Sequence, residues 1–383
     1  MIDPVALTQT LIRCRSITPA DDGALGVAQA ALESLGFTCW RLPFEEPGLA
    51  RIDNLFARRG ATGPHLCFAG HTDVVPPGDV TAWRFDPFAG TLADDAVWGR
   101  GASDMKGSIA AFVAGVARAD AAGVPTGSLS LLITGDEEAD AVNGTAKVLT
   151  WMGSNGHVPD ACIVGEPTNP EALGDAIKIG RRGSLNAWIT VTGKQGHTAY
   201  PDQADNAANR MAKGLAALLA EPLDHGTDHF QPTNLEVSTI DVGNPASNVI
   251  PPVARAAVNI RFTDRHTGQG LSDWLARTFQ QAAGNAAFRF RISAESFFTP
   301  PGPLSDLAAA AVHDTTGRTP VLSTSGGTSD ARFIRSFCPV IEYGGVNRTI
   351  HQVDEHAQTD VLTGLAETYA AMIGRFTQSW GAA

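Results

Sequence analysis

The stretch Ser128-Leu129-Ser130-Leu131-Leu132-Ile133-Thr134-Gly135-Asp136-Glu137-Glu138 decides how this chain is read. Ser128 to Ile133 is a short apolar run of strand length. Thr134 and Gly135 end it, and three carboxylates follow in a row. Adjacent carboxylates repel one another and cost stability unless cations or protons compensate. A solvated acidic loop is the alternative. In open α/β sheets, ligands gather at the carboxyl ends of strands. Neighbouring Glu residues at such an end can divide the work, one holding a metal while the other handles a proton.

Outward from this strand, the pattern alternates. Residues 4–15 and 24–36 carry apolar residues at helical spacing, and Gly36 ends the second run. Short β-rich runs follow at Phe37 to Arg41, Asn54 to Arg58 and His65 to Ala69. A Gly- and Ala-rich helix starts near Gly107. After the carboxylates come a helix, Val142 to Trp151, and a strand, Ala161 to Val164. Strands alternating with helices predict an α/β layer with a mostly parallel sheet. Near residue 183 the pattern changes. Leu185 to Thr192 alternates apolar and polar residues. A helix (Asn206 to Leu219), two strands (Leu235 to Val242, Ala254 to Phe262), a helix (Gly270 to Ala283) and a strand (Ala287 to Ile292) follow. That β-α-β-β-α-β order is the ferredoxin-like arrangement. From Phe297 the α/β pattern resumes, ending in a long helix, Val361 to Phe376. The expected organisation is a catalytic domain (1–182 and 294–383) interrupted by a smaller α+β domain (183–293).

The chain has 383 residues, enough for two domains. Hydrophobic residues make up 43% and charged residues 18%, which marks a packed globular protein. A formal net charge of -12 argues against nucleic-acid or anionic-membrane partners, which need clustered Lys and Arg. The five cysteines are scattered and form no Cys-x-x-Cys pair, as expected of buried thiols in a reducing compartment. Met1-Ile2-Asp3-Pro4-Val5 has neither a basic n-region nor an apolar h-region, and no stretch approaches a membrane span. A cytoplasmic protein is expected.

Four further segments place acidic or histidine side chains after strands or among glycines. In Ala69-Gly70-His71-Thr72-Asp73, His71 can ligate a metal through one ring nitrogen while Asp73 accepts the other N–H. In Gly99-Arg100-Gly101-Ala102-Ser103-Asp104-Met105-Lys106-Gly107, the two oxygens of Asp104 suit a bridge between cations; a helix cap is the alternative. Val164-Gly165-Glu166-Pro167-Thr168 offers Glu166, or an ordinary turn. Asn347-Arg348-Thr349-Ile350-His351 offers His351, with His356 as a local competitor that spacing does not eliminate. Two histidines with several carboxylates make a mixed N/O set that suits zinc or similar first-row ions. With no cysteine ligand and a spare Glu beside a ligand Glu, such a site is catalytic in character.

Together these segments resemble the M20 family of metallopeptidases and amidohydrolases, in order and over essentially the whole chain. Asn143-Gly144-Thr145, Arg181-Arg182-Gly183-Ser184-Leu185, Gly326-Gly327-Thr328-Ser329-Asp330-Ala331-Arg332-Phe333 and the Asn347 to His351 stretch narrow the resemblance within it. The resemblance implies a zinc-peptidase-like catalytic domain with an inserted ferredoxin-like dimerisation domain. It implies one zinc held by His71, Asp104 and Glu166 and another by Asp104, Glu138 and His351, with cobalt or manganese able to substitute. Asp73 would orient His71, and Glu137 would be the general base. His197, in Gly196-His197-Thr198-Ala199-Tyr200-Pro201, would reach the site of a second copy as oxyanion donor in a homodimer. The implied reaction is hydrolysis of the amide of N-succinyl-LL-2,6-diaminopimelate, in lysine and diaminopimelate biosynthesis. Another deacylase of the family, such as one for acetylornithine, or a dipeptidase is the alternative. Arg181 and Arg261 have the forked geometry that grips carboxylates, with Arg182 a rival for Arg181. By resemblance, Ser184, Tyr200 and Asn248 would hold the diaminopimelate end, and Gly327, Thr328 and Asn347 the succinyl end.

Overall fold

The structure, a computed structural model, describes residues 2–380. Its main strands are β1 (Thr38–Arg41), β2 (Leu55–Arg59), β3 (His65–His71), β4 (Ser128–Thr134), β5 (Ala161–Val164), β6 (Ala176–Lys178), β7 (Gly183–Thr192), β8 (Asn234–Asp241), β9 (Val253–Phe262), β10 (Ala287–Ala294), β11 (Val321–Ser323) and β12 (Val340–Glu342). Its helices are α1 (Pro4–Arg13), α2 (Ala24–Ser34), α3 (Gly107–Ala121), α4 (Thr145–Ser154), α5 (Ala207–Leu218), α6 (Gly268–Ala283), α7 (Pro303–Thr316), α8 (Ala331–Ile334) and α9 (Thr359–Ser379). The chain divides into two compact units. One holds the residues through Ile179, Thr299–Ser323 and the chain from Ser329 onward; the other holds Gly180–Phe298 and Thr324–Thr328.

In the first unit, eight strands lie in the order β1-β2-β4-β3-β5-β12-β6-β11. The four central strands, β4, β3, β5 and β12, run parallel to one another. β1 and β2 are antiparallel on one side. On the other side β6 is antiparallel to β12 and parallel to β11. Every residue of β3 and β4 is buried, which is why both read as continuous apolar runs and not as alternations. Phe68 of β3 stacks on Phe112 of α3 with centroids 4.3 Å apart, and Tyr369 of α9 meets both edge-on. Since α3 packs on several sides, it is apolar nearly all round.

The second unit is a four-stranded antiparallel sheet ordered β8-β9-β7-β10, with α5 and α6 between its strands in sequence. Leu185, Ala187, Ile189 and Val191 of β7 alternate with less buried residues. They form one core with Val258 and Ile260 of β9, Met211 and Leu215 of α5, and Leu271, Leu275 and Phe279 of α6. The β-α-β-β-α-β order read from periodicity is thus the observed one.

Two departures from the sequence reading are informative. Helix α4 begins at Thr145, not Val142, because the amides of Ala141, Val142 and Asn143 donate to the Asp136 carboxylate. Strands β6, β11 and β12 have three residues each, too few to show a period. Yet β12 is a central strand, and the chain beyond it carries His351.

Candidate active site

Four adjacent parallel strands deliver the first unit's functional groups at their carboxyl ends. His71 is the last residue of β3 and pairs in register with Thr134, the last of β4. Glu137 and Glu138 follow β4, Glu166 follows β5, and His351 lies in the loop after β12. Asp104 comes from the irregular turn Ala102–Lys106 that precedes α3, entered through Gly101 at φ 84°.

The turn after β4 is built by side chains. Asp136 takes the three amides that would otherwise start α4. Thr134 Oγ1 donates to Asn54 Oδ1 at 2.8 Å, and Asn54 Nδ2 donates to the Asn143 carbonyl at 3.0 Å. The Asp73 carboxylate accepts from the amides of Glu137 at 3.3 Å and Glu138 at 3.1 Å. This corrects one expectation. The other nitrogen of His71, Nδ1, bonds to the main-chain carbonyl of Asp73 at 2.9 Å, while the Asp73 carboxylate stands off at 3.7 Å. That carboxylate is already committed to the two amides.

Two groups of residues that could hold a metal ion result, their candidate ligand atoms within 4.8 Å of one another: His71, Asp104 and Glu166, and Asp104, Glu138 and His351. His71 Nε2 lies 3.2 Å from Asp104 Oδ1 and 3.8 Å from Glu166 Oε1. His351 Nε2 lies 3.0 Å from Glu138 Oε1 and 3.4 Å from Asp104 Oδ2. The two oxygens of Asp104 therefore face different groups. Glu137 belongs to neither. His356 is turned away: it stacks on Trp98 with centroids 4.3 Å apart, and its Nδ1 bonds to the Asp354 carbonyl at 2.8 Å.

The electrostatics follow from this crowding. Burial pushes Asp104 up, but hydrogen bonds from His351 and His71 hold its carboxyl well below the ordinary range. Those bonds, with Glu138, raise His351 to about 10. Burial opposes the charge on His71, but Asp104 and the surrounding carboxylates hold its ring well above the ordinary histidine range. Burial and the neighbouring Glu166, Asp330 and Glu138 carboxylates push Glu137 well up, against the pull of His71.

The second unit carries most of the substrate candidates, at two places. Ser184 and Arg261 are register partners on β7 and β9. Beside them Arg181 is buried and donates to the Ser325 carbonyl at 3.3 Å, next to Gly326, Gly327 and Thr328. Arg182 instead donates to Asn234 Oδ1 at 2.9 Å. His197, Tyr200 and Asn248 form the other place. The Thr198 amide donates to the Asn248 carbonyl at 3.0 Å, and the rings of His197 and Tyr200 are 5.7 Å apart. All three are exposed. They lie beyond the Thr192 end of β7, whereas Ser184 is at its start. At ~3.3 Å per residue this puts the two places more than about 20 Å apart within one chain. Asn347 lies in the first unit, its amide bonded to the Asn169 carbonyl at 2.9 Å.

A model of peptidase family M20/M25/M40 matches residues 67–375. The chain belongs to that family. A succinyl-diaminopimelate desuccinylase of Rhodospirillum centenum is 56% identical over 375 residues, spanning 98% of this chain and 97% of the relative. One of Rhodospirillum rubrum is 54% identical, spanning 99% and 100%. The M20 fold is also that of aminopeptidase PepT of Bacillus cereus, with a TM-score of 0.78 at 20% identity over 97% of each chain. A dinuclear metal-binding M20 peptidase of Bacillus subtilis has a TM-score of 0.66 at 15% identity over 98% and 99%.

The residues of this M20 chain fit divalent cations. Gathering this many carboxylates away from water is costly unless cations compensate. The Lys106 amine nearby donates to the Cys14 carbonyl and the Arg100 guanidinium to Glu355, so neither reaches into the groups. The 3.0–3.8 Å separations between ligand atoms bracket the edge of about 3.3–3.6 Å of a tetrahedron with bonds of ~2.0–2.2 Å. Imidazole and carboxylate donors with no thiolate match a catalytic zinc-type site.

Proposed function

We propose that the chain hydrolyses the amide of N-succinyl-LL-2,6-diaminopimelate to succinate and LL-2,6-diaminopimelate, as a metal-dependent amidohydrolase. The observation that carries the chemistry is the pair of ligand groups sharing Asp104, with the non-ligating Glu137 beside them. The substrate is supported by relatives named succinyl-diaminopimelate desuccinylase that match nearly the full chain. His71, Asp104 and Glu166 would hold one zinc ion and Asp104, Glu138 and His351 a second, with cobalt or manganese able to replace them. Bound there, the cations lower the pKa of the attacking water and polarise the amide carbonyl.

Glu137 accepts a proton from the water as the C–O bond forms, and returns it to the leaving amine as the C–N bond breaks. The developing oxyanion needs a preorganised donor. His197 suits this role, because its Nδ1 accepts from the Ala199 amide at 3.0 Å. In the neutral ring the proton is then on Nε2. Arg181, Ser184, Arg261, Gly327, Thr328 and Asn347 would bind substrate. The separation of His197, Tyr200 and Asn248 from Ser184 and Arg261 supports a homodimer in which a second copy supplies them. All five cysteines are unpaired, which supports a reducing, cytoplasmic location. No helix among the described residues is long and apolar enough to cross a membrane.

The test is hydrolysis of N-succinyl-LL-2,6-diaminopimelate, beside N-acetylornithine, by metal-stripped protein before and after zinc is added. Zinc-restored cleavage of the succinyl substrate alone is the expected result. Cleavage of acetylornithine instead would keep the metal chemistry and overturn the substrate.

A further inference from the structure

We infer that Glu355 is a positioning residue that holds the loop of Asp104 against the segment of His351. This rests on the reading of Asp104 and His351 as metal ligands. Glu355 lies four positions beyond His351 and is fully buried. Its Oε1 accepts from the amides of Ser103 and Asp104, both at 3.0 Å. Its Oε2 accepts from the Gly101 amide at 3.1 Å and from Arg100 Nη1 at 2.7 Å. Its main-chain carbonyl accepts from the Gly99 amide at 2.9 Å. One residue therefore receives five hydrogen bonds from Gly99 to Asp104.

The Gly101–Asp104 segment has an irregular backbone, so its amides have no helix or sheet ladder to satisfy them. The Glu355 carboxylate replaces that ladder. Arg100 balances the buried charge and is itself fixed, with Nη2 3.4 Å from the Pro76 carbonyl and its guanidinium 5.2 Å from the centre of the Trp83 ring. The Ser103 hydroxyl adds a tie to the Val346 carbonyl. The amide of Asp104 is thus pinned by a residue on the segment that carries His351, some 250 positions later in the chain. This arrangement sets the direction of the shared carboxylate before any ion arrives. Groups that orient ligands in this way typically change metal affinity about 10–100-fold when removed.

The experiment compares metal-stripped full-length wild type, Glu355→Gln, the double variant Arg100→Met with Glu355→Gln, and Asp104→Asn. Zinc and cobalt affinities are measured by chelator competition, and the visible absorption of the cobalt form is recorded. The double variant removes both charges, so no lone charge is left buried if the single variant fails to fold. Expected are about 10–100-fold weaker binding and an altered cobalt spectrum in either folded Glu355 variant. Wild-type affinity and spectrum in a folded variant would overturn the inference while leaving the metal reading intact. Wild-type affinity in Asp104→Asn would overturn the metal reading and this inference with it. Hydrogen exchange on the metal-stripped wild type needs no variant. The amides of Gly101, Ser103 and Asp104 are expected to exchange as slowly as those of β3. Rapid exchange there would mean that Glu355 does not build the loop.

Discussion

Glu137 and Glu138 are neighbours in sequence, yet only Glu138 enters a ligand group. Their amides share the Asp73 carboxylate, which fixes the turn that presents both side chains. Glu137→Gln should therefore keep the wild-type metal content while turnover falls about 10²–10⁴-fold, the usual contribution of a general base. Metal analysis alongside kinetics checks this, and loss of metal and turnover together would mean the two Glu roles are exchanged. His351 makes a second prediction. Hydrogen bonds to Asp104 and Glu138 raise it to about 10, so the metal-stripped protein carries it protonated at neutral pH. A histidine ligates only when neutral, so metal binding should release a proton and tighten as pH rises towards that value. Calorimetry in buffers of different ionisation enthalpy measures the release; none would count against His351 as ligand. The sign for stability is opposite. A raised folded pKa stabilises the metal-stripped protein fully below about 6.5, and that contribution disappears as pH rises through about 10.

Strand β12 brings its own constraint. A Cβ on Gly344, just beyond it, would lie 2.2 Å from the Gly165 carbonyl oxygen and 2.4 Å from that of Glu166. Both are main-chain atoms of the segment that presents Glu166, so no side chain can swing away to make room. Gly344→Ala should cost about 1–3 kcal/mol, the range for overpacking. It should also weaken metal retention by displacing Glu166. A chemical melt and a chelator titration measure the two effects, and a stable variant with normal retention would show that the close approach is unimportant. The same scale explains why α4 starts late. Its predicted first turn, Val142-Asn143-Gly144-Thr145, is poor in helix formers, and Asp136 offers the amides of Val142 and Asn143 an acceptor. The apolar runs of β3, β4 and β5 were legible because burial on both faces demands them. Three-residue β12 carries no such pattern.

At the scale of the molecule, the distance along β7 matters most. Ser184 and Arg261 mark one end of that strand, and His197, Tyr200 and Asn248 lie past the other. Under the proposed function, both places reach one small substrate only if a second copy supplies His197, Tyr200 and Asn248. A mixed dimer of Glu137→Ala and His197→Ala chains, isolated through two different tags, carries one site with both residues intact. It should recover about half of wild-type turnover from two inactive parents, as isologous symmetry requires. An inactive mixed dimer, or a fully active monomer, would remove His197 from the partner's site. Each parent alone should retain its metal.

What the sequence by itself determined is local. Hydrophobic period marked the α/β layer and the β-α-β-β-α-β insertion. Residue chemistry offered His71, Asp104, Glu166, the Glu137–Glu138 pair and the His351–His356 pair as candidates at strand ends or in glycine-rich turns, and the resemblance to the M20 family selected the ligand set among them. Spacing left His351 and His356 open; the tertiary structure gathers His351 with Glu138 and Asp104 and stacks His356 on Trp98. It also assigned the carbonyl of Asp73, and not its carboxylate, to His71, and gave Glu355 its place under the Asp104 loop. These are contacts between segments that the strand order of the sheet makes neighbours, and no local pattern of apolar and polar residues encodes which buried acceptor a given amide will find.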